Sequence, residues 1–185
     1  GHDYTPYASL SKEFARRCAV CVSPSKAFNI AGLQIADIVA ADDEVRRRID
    51  RAINDNEVCD VNPFGIVATI AAYNESGEWL DALRRYLYAN YECVRDFFAE
   101  HLPQYAVTPL EGTYLVWIDC SASGMDGDEV TRRLMQEQHL LVNSGSMYGS
   151  GGEAFVRLNI ACPRSLLTDA LRRMERVLGN YRHSQ

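Results

Sequence analysis

The spacing of apolar positions divides the chain into short strands and amphipathic helices. Residues 7–17 (YASLSKEFARR) predict a short amphipathic helix or turn, and residues 18–22 (CAVCV) a buried strand bounded by turn formers. Pro24 cannot donate to a ladder, so Ser23–Lys26 reads as a turn. A second short apolar run covers Ile35–Ala41. Asp42, Asp43 and Glu44 then open a helix running to about Asn54, with acids where the helix dipole favours them. Asn62 and Pro63 are a capping residue and a first helical residue, and the helix they start spans Phe64–Tyr73. A longer helix covers about Glu78–Glu100, because Leu80, Leu83, Leu87, Tyr91, Val94 and Phe98 recur near the helical period. Pro103 ends it.

Strand and helix alternate from there. Tyr105–Val107 and Thr113–Asp119 predict strands, and Gly127–Gln138 a helix. Leu140–Val142 predicts a short strand, Asn143–Gly152 a Gly/Ser loop, Ala154–Ala161 a strand and Ser165–Leu178 a helix. This order, with antiparallel pairing available, predicts a small α+β layer. The part before the long helix has only two strands, too few for a sheet that stands alone. That deficit points to a missing partner segment, and to two pieces bridged by the long helix.

Composition narrows the class. Of 185 residues, 47% are hydrophobic and 24% charged, which excludes a disordered tail and a collagen-like rod. The charge sum, 19 − 25 = −6, argues against a nucleic-acid partner. No run approaches the roughly 20 apolar residues of a membrane span. The opening GHDYTPYASLSKEF lacks the basic and apolar regions of a signal peptide. A cytoplasmic protein with no membrane partner is expected. The start, polar and without Met, reads as a cut inside a longer protein.

Cys18 and Cys21 form a CxxC, but residues three apart on a strand face opposite ways, and no second pair follows. The histidines, His2, His101, His139 and His183, are scattered. Six reduced thiols and no metal are expected from Cys18, Cys21, Cys59, Cys93, Cys120 and Cys162.

Lys26 follows a Ser-Pro-Ser turn and precedes Phe28, Ile30 and Leu33. It is either a solvated loop lysine or an amine desolvated by apolar surface and so able to attack carbonyls. Ser23 and Ser25 either donate to a phosphate or serve the turn itself. Arg157 lies inside a strand whose alternation puts Val156, Leu158 and Ile160 on one face and Phe155, Arg157 and Asn159 on the other. Its fork needs an acceptor, either a protein acid or an external carboxylate. The Gly-rich run Asn143–Gly152 is no P-loop. It is a strand connection or the rim of a site.

Together these residues become recognisable. Ser23-Pro-Ser-Lys26-Ala-Phe-Asn-Ile-Ala-Gly-Leu33 resembles the Schiff-base lysine motif of fold-type I pyridoxal-phosphate enzymes. The likeness is to the class I/II aminotransferase superfamily and, within it, the MalY/PatB-like cystathionine β-lyase branch. It continues through Asn62-Pro-Phe-Gly-Ile-Val-Ala-Thr69, Gly77-Glu-Trp-Leu80, Glu111-Gly-Thr-Tyr-Leu-Val-Trp117 and Asn143-Ser-Gly-Ser-Met-Tyr-Gly149, and ends with Phe155-Val-Arg-Leu-Asn-Ile-Ala-Cys-Pro-Arg164.

The resemblance implies an α/β fold, the C-terminal part of a pyridoxal-phosphate-dependent transferase. Residues 1–76 would be the remnant of the large domain with its sheet, 77–101 the linking helix and 102–185 the small α+β domain. It implies pyridoxal 5′-phosphate covalently held on Lys26, which also moves the Cα proton, with Ser23 on the phosphate. It implies Arg157 on the substrate carboxylate and, more weakly, Asn62 and Tyr114 at the substrate. It also implies a homodimer in which Asp60–Phe64 approaches the neighbouring subunit's site. The expected reaction is carbon–sulfur β-elimination from an amino acid to pyruvate, ammonia and a thiol. The alternatives are an aminotransferase, or a non-catalytic fragment or regulatory binding module. In many aminotransferases an arginine eight residues after the lysine also binds the phosphate. Here that position is Gln34, a departure that favours the lyase. The chain alone is expected to be inactive.

Overall fold

Four helix starts in this chain are set by side-chain caps. In the computed structural model, which describes residues 3–179, Asp42 accepts hydrogen bonds from the Glu44 and Val45 amides and opens α2 (Asp43–Asp55). Asn62 accepts from the Phe64 amide, and Pro63 stands first in α3 (Pro63–Glu75). Asp126 accepts from the Glu129 amide at the head of α5 (Gly127–Gln138). A short α1 (Lys12–Arg16) is capped by Ser11, and α4 (Gly77–His101) and α6 (Arg164–Leu178) complete the helices. Gly1, His2 and positions 180–185, His183 among them, lie outside the described residues. The architecture is α/β.

The chain forms two compact units that divide between Leu83 and Arg84, inside α4. In the first, β1 (Ala19–Val22) and β2 (Asp37–Ala40) pair antiparallel, with Ala19 opposite Ala40 and Val22 opposite Asp37. The expected burial of β1 is not found: Val22 on it, and Ile38 and Val39 on β2, are exposed. An apolar run signals a strand, but a two-stranded ribbon covers neither of its own faces. The helix α3 is apolar on every side and exposes Phe64, Ile66, Val67, Ile70 and Tyr73.

In the second unit, β3 (Ala106–Val107), β4 (Leu115–Asp119), β5 (Asn143–Ser144) and β6 (Phe155–Asn159) form an antiparallel sheet in the order β3-β4-β6-β5. Val116, Ile118, Val156 and Leu158 from one sheet face join Val94 and Phe98 of α4, Val130 and Leu134 of α5, and Leu171 and Met174 of α6 in one buried core. Asn90, fully buried on α4, donates to the Ile160 and Cys162 carbonyls (2.8 and 3.0 Å) and accepts from Arg164 Nε (2.7 Å). This fixes the end of β6 and the start of α6 to α4.

The strand expected at Leu140–Val142 begins later, at Asn143. Its first residues are spent on ending α5. His139 adopts the left-handed conformation (φ 52°), and the Leu140 amide donates back to the Leu134 carbonyl (3.1 Å). The expected Gly/Ser connection is folded too, into β5 and a 3-10 turn over Gly145–Tyr148.

Candidate active site

The residues marked by the sequence fall on one segment in each unit. The first is the turn after β1. Ser23 Oγ donates to the Ile35 carbonyl (2.7 Å), lies 2.8 Å from Ser25 Oγ and accepts the Ser25 amide (3.2 Å). The hydroxyl thus ties the end of β1 to the chain entering β2. The Phe28 and Ile30 amides close turns onto the Pro24 and Ser25 carbonyls (2.9 and 3.0 Å). Lys26 is exposed.

The apolar residues that follow do not cover Lys26. Phe28 stacks on Trp79 (centroids 6.2 Å apart, 22° between planes) and meets Tyr73 edge-on at 6.0 Å. Phe28 therefore anchors the lysine turn to α3 and the head of α4. Asn62 caps α3 and points its amide at the Leu33 carbonyl, at 3.5 Å the far limit of a hydrogen bond. Three residues on, Gly65 packs against Ile35 so closely that an added Cβ would stand 3.2 Å from it.

The second segment surrounds Arg157, in mid-β6 between Trp117 of β4 and Asn143 of β5. Val156 and Leu158 are buried, so alternation turns Arg157 to the opposite sheet face. Its Nη2 donates to Asn143 Oδ1 (2.9 Å). The Tyr148 ring covers the guanidinium, 4.4 Å from Cζ to the ring centroid. Trp117 in turn meets Tyr148 and Phe155 edge-on, at 5.4 and 6.1 Å. The Nε of Arg157 is buried with no partner. Among the described residues no carboxylate pairs with this arginine. The internal ion pair that would have accounted for it is not made. A half-buried cation with an unspent N–H edge is a receptor for a planar anion.

Tyr114 is not brought to this arginine. It precedes β4 by one residue, where alternation places it with Val116 and Ile118, and it packs against the core. Trp117 faces Arg157 instead. Asn143, Tyr148 and Trp117 are the partners that sequence reasoning did not assign. Only the cross-strand register, with β5 starting at Asn143, shows that they meet on one arginine.

The six cysteines stand as free thiols. Burial pushes the Cys120 thiol up to about 12, helped by the nearby Asp119 charge. Among the described residues no group of three or more His, Cys, Asp or Glu is placed to hold a metal, and no helix is long and apolar enough to cross a membrane.

Comparison with known proteins covers both segments. The family Aminotransferase class I and II matches residues 1–174. Cystathionine beta-lyase PatB of Bacillus subtilis is 38% identical over 179 residues, covering 97% of this chain and 46% of that protein. Protein MalY of Escherichia coli is 32% identical, over 80% of this chain and 38% of that protein. Among solved structures, a PLP-bound putative aminotransferase from Clostridium difficile 630 superposes with a TM-score of 0.92 at 38% identity, covering 96% of this chain and 46% of its own. Cystalysin from Treponema denticola, which contains pyridoxal 5′-phosphate, superposes with a TM-score of 0.87 at 29% identity, covering 98% of this chain and 46% of its own. The chain spans about half the length of the curated relatives it matches. With a turn, a capped helix and an arginine strand in the order the sequence motifs required, and with the family matched over nearly the whole length, the chain belongs to the class I and II aminotransferase family.

Proposed function

We propose that the protein is a pyridoxal-phosphate-dependent carbon–sulfur β-lyase. It would convert a cystathionine- or cysteine-conjugate-type amino acid to pyruvate, ammonia and a thiol. The observation that carries this reading is the Arg157 fork, which pairs with no carboxylate, meets only the neutral Asn143 through Nη2 and leaves Nε without a partner, as a receptor for an amino acid's carboxylate would. The lyase is preferred to the transferase because several curated relatives carry the name cystathionine beta-lyase at 32–38% identity, against 26% and 27% for two curated aminotransferases; one solved structure named for an aminotransferase also reaches 38%.

The residues present fit pyridoxal phosphate. Lys26 offers an exposed amine, and among the described residues it makes no ion pair. It is the attachment point. Ser23 stands beside it for the phosphate, and to donate there its hydroxyl must turn away from the Ile35 carbonyl. Bound there, the cofactor supplies an electron sink for the charge left at Cα. With the cofactor held there, Lys26 Nζ would be the base that takes the Cα proton. Arg157 grips the α-carboxylate with parallel N–H bonds, while Asn143 and Tyr148 hold the fork from its edge and its face. Asn62 carries a lesser role near the substrate, at the head of α3.

Residues 1–76 are assigned to the large domain, 77–101 to the linking helix and 102–185 to the small domain, as the C-terminal part of the fold. The working form is a homodimer in the cytoplasm. The exposed apolar residues of α3 support a partner for the Asp60–Phe64 region, since solvated apolar patches mark association. By itself the chain is expected to be inactive, since it spans about half the length of its relatives and leaves Lys26 exposed. The full-length protein tests the reading. Pyruvate release from cystathionine supports the lyase. Amino transfer to a keto acid without pyruvate supports the transferase. Neither reaction supports a non-catalytic role.

A further inference from the structure

Arg157 is held by two side chains, Asn143 and Tyr148, and both lie in one short segment. What fixes that segment is a hydroxyl chain that ends on α5. Ser146 Oγ donates to Asp128 Oδ1 (2.7 Å), and Ser144 Oγ lies 2.9 Å from Ser146 Oγ. A carboxylate only accepts, so the Ser146 proton is committed to Asp128. The Ser144 hydroxyl then donates to Ser146 or towards the same carboxylate, and its oxygen takes the Ser146 amide at 3.3 Å. The protons of the whole chain are directed by one charge. Hydrogen bonds from Ser144 and Ser146 hold the Asp128 carboxyl below the usual carboxylate range, so the charge is present at neutral pH.

The backbone around this chain leaves little room for another arrangement. A Cβ on Gly145 would overlap the Gly152 carbonyl oxygen, and one on Gly127 would overlap the Phe155 carbonyl oxygen. The Gly127 amide donates to the Glu153 carbonyl (2.6 Å). The N-terminal turn of α5 and the segment 143–155 are therefore docked together, and Asp128 is the charged contact between them.

We propose that Asp128 is a positioning residue for Arg157. Through Ser146 and Ser144 it sets the 143–148 segment so that Asn143 meets the edge of the guanidinium and Tyr148 its face. The functional half rests on the reading of Arg157 as the carboxylate receptor, and the structural half does not.

The test has two readouts, both on the full-length protein. The first is the NMR signal of the Arg157 Nε–H, shifted by the Tyr148 ring and identified by its loss of that shift in Tyr148→Leu. Asp128→Ala is expected to abolish most of the shift, and Asp128→Asn, which keeps an acceptor for Ser146, to retain part of it. The second is steady-state kinetics. Asp128→Ala is expected to raise KM about three- to tenfold, the scale of one hydrogen bond, with kcat changed less than about twofold. Asp128→Asn should fall between. An unchanged Arg157 signal in folded Asp128→Ala, or in Asp128→Asn and Ser146→Ala should the alanine variant not fold, overturns the proposal. A moved signal with unchanged KM overturns its functional half. A KM left unchanged by Arg157→Gln would instead refute the carboxylate reading, while the NMR arm still decides the positioning.

Discussion

The Tyr148 ring lies over the guanidinium of Arg157, 4.4 Å from Cζ to the centroid, and Trp117 backs that ring at 5.4 Å. The ring on one face and Asn143 at Nη2 hold the guanidinium in plane. Under the proposed carboxylate role, bidentate geometry, and not charge alone, is what the arginine would offer.

Replacing Arg157 by Lys keeps the charge and removes the fork. KM for the amino acid should rise about ten- to a hundredfold, the value of a charge-assisted hydrogen bond, with a smaller change in kcat. Steady-state kinetics on the full-length variant checks this, and an unchanged KM would remove the carboxylate from Arg157.

Asn90 satisfies two carbonyls and the Arg164 Nε–H from a fully buried position. Asn90→Ala strands all three and should cost about 3 kcal/mol in urea-induced unfolding. A loss below about 1 kcal/mol would mean that water or a shifted helix replaces these bonds.

Gly127→Ala places a Cβ on the Phe155 carbonyl oxygen, whereas at Gly112 nothing lies within 4 Å of an added Cβ. The first substitution should destabilise by about 1–3 kcal/mol or more, and Gly112→Ala should be near neutral. Thermal unfolding of the two variants side by side reads the difference.

The Cys120 thiol, held up to about 12 by burial, should resist iodoacetamide at pH 8 while exposed Cys21 and Cys59 react. Mass spectrometry of the peptides reports the ratio. The sign for stability follows from the same shift. The folded thiol keeps its proton where the unfolded one loses it, so this contribution is full below about pH 9. It declines as pH rises from there towards 12.

Local signals were the legible ones. The acids of Asp42–Glu44, the Asn62–Pro63 pair and the period of Gly127–Gln138 each determine a helix from within a few residues, and the helices stand there. What local pattern could not set was pairing. The β5 start depends on how α5 ends at His139, and the register depends on β5. That register sets Asn143 and Trp117 beside Arg157 on its two neighbouring strands. Burial was illegible for the same reason. An apolar run predicts a strand at β1, but whether it is covered depends on what packs over it, and Val22 is exposed. The motif around Lys26 marked the residue without showing that Phe28 would turn towards Trp79.

The most direct measurement is pyruvate formation from cystathionine by the full-length protein supplied with pyridoxal phosphate, alongside its Lys26→Ala variant. The lyase assignment predicts pyruvate and ammonia in equal amounts from the unsubstituted protein and neither above background from the variant. Pyruvate formed equally well by Lys26→Ala, or amino transfer to a keto acid with no pyruvate from the unsubstituted protein, would contradict it.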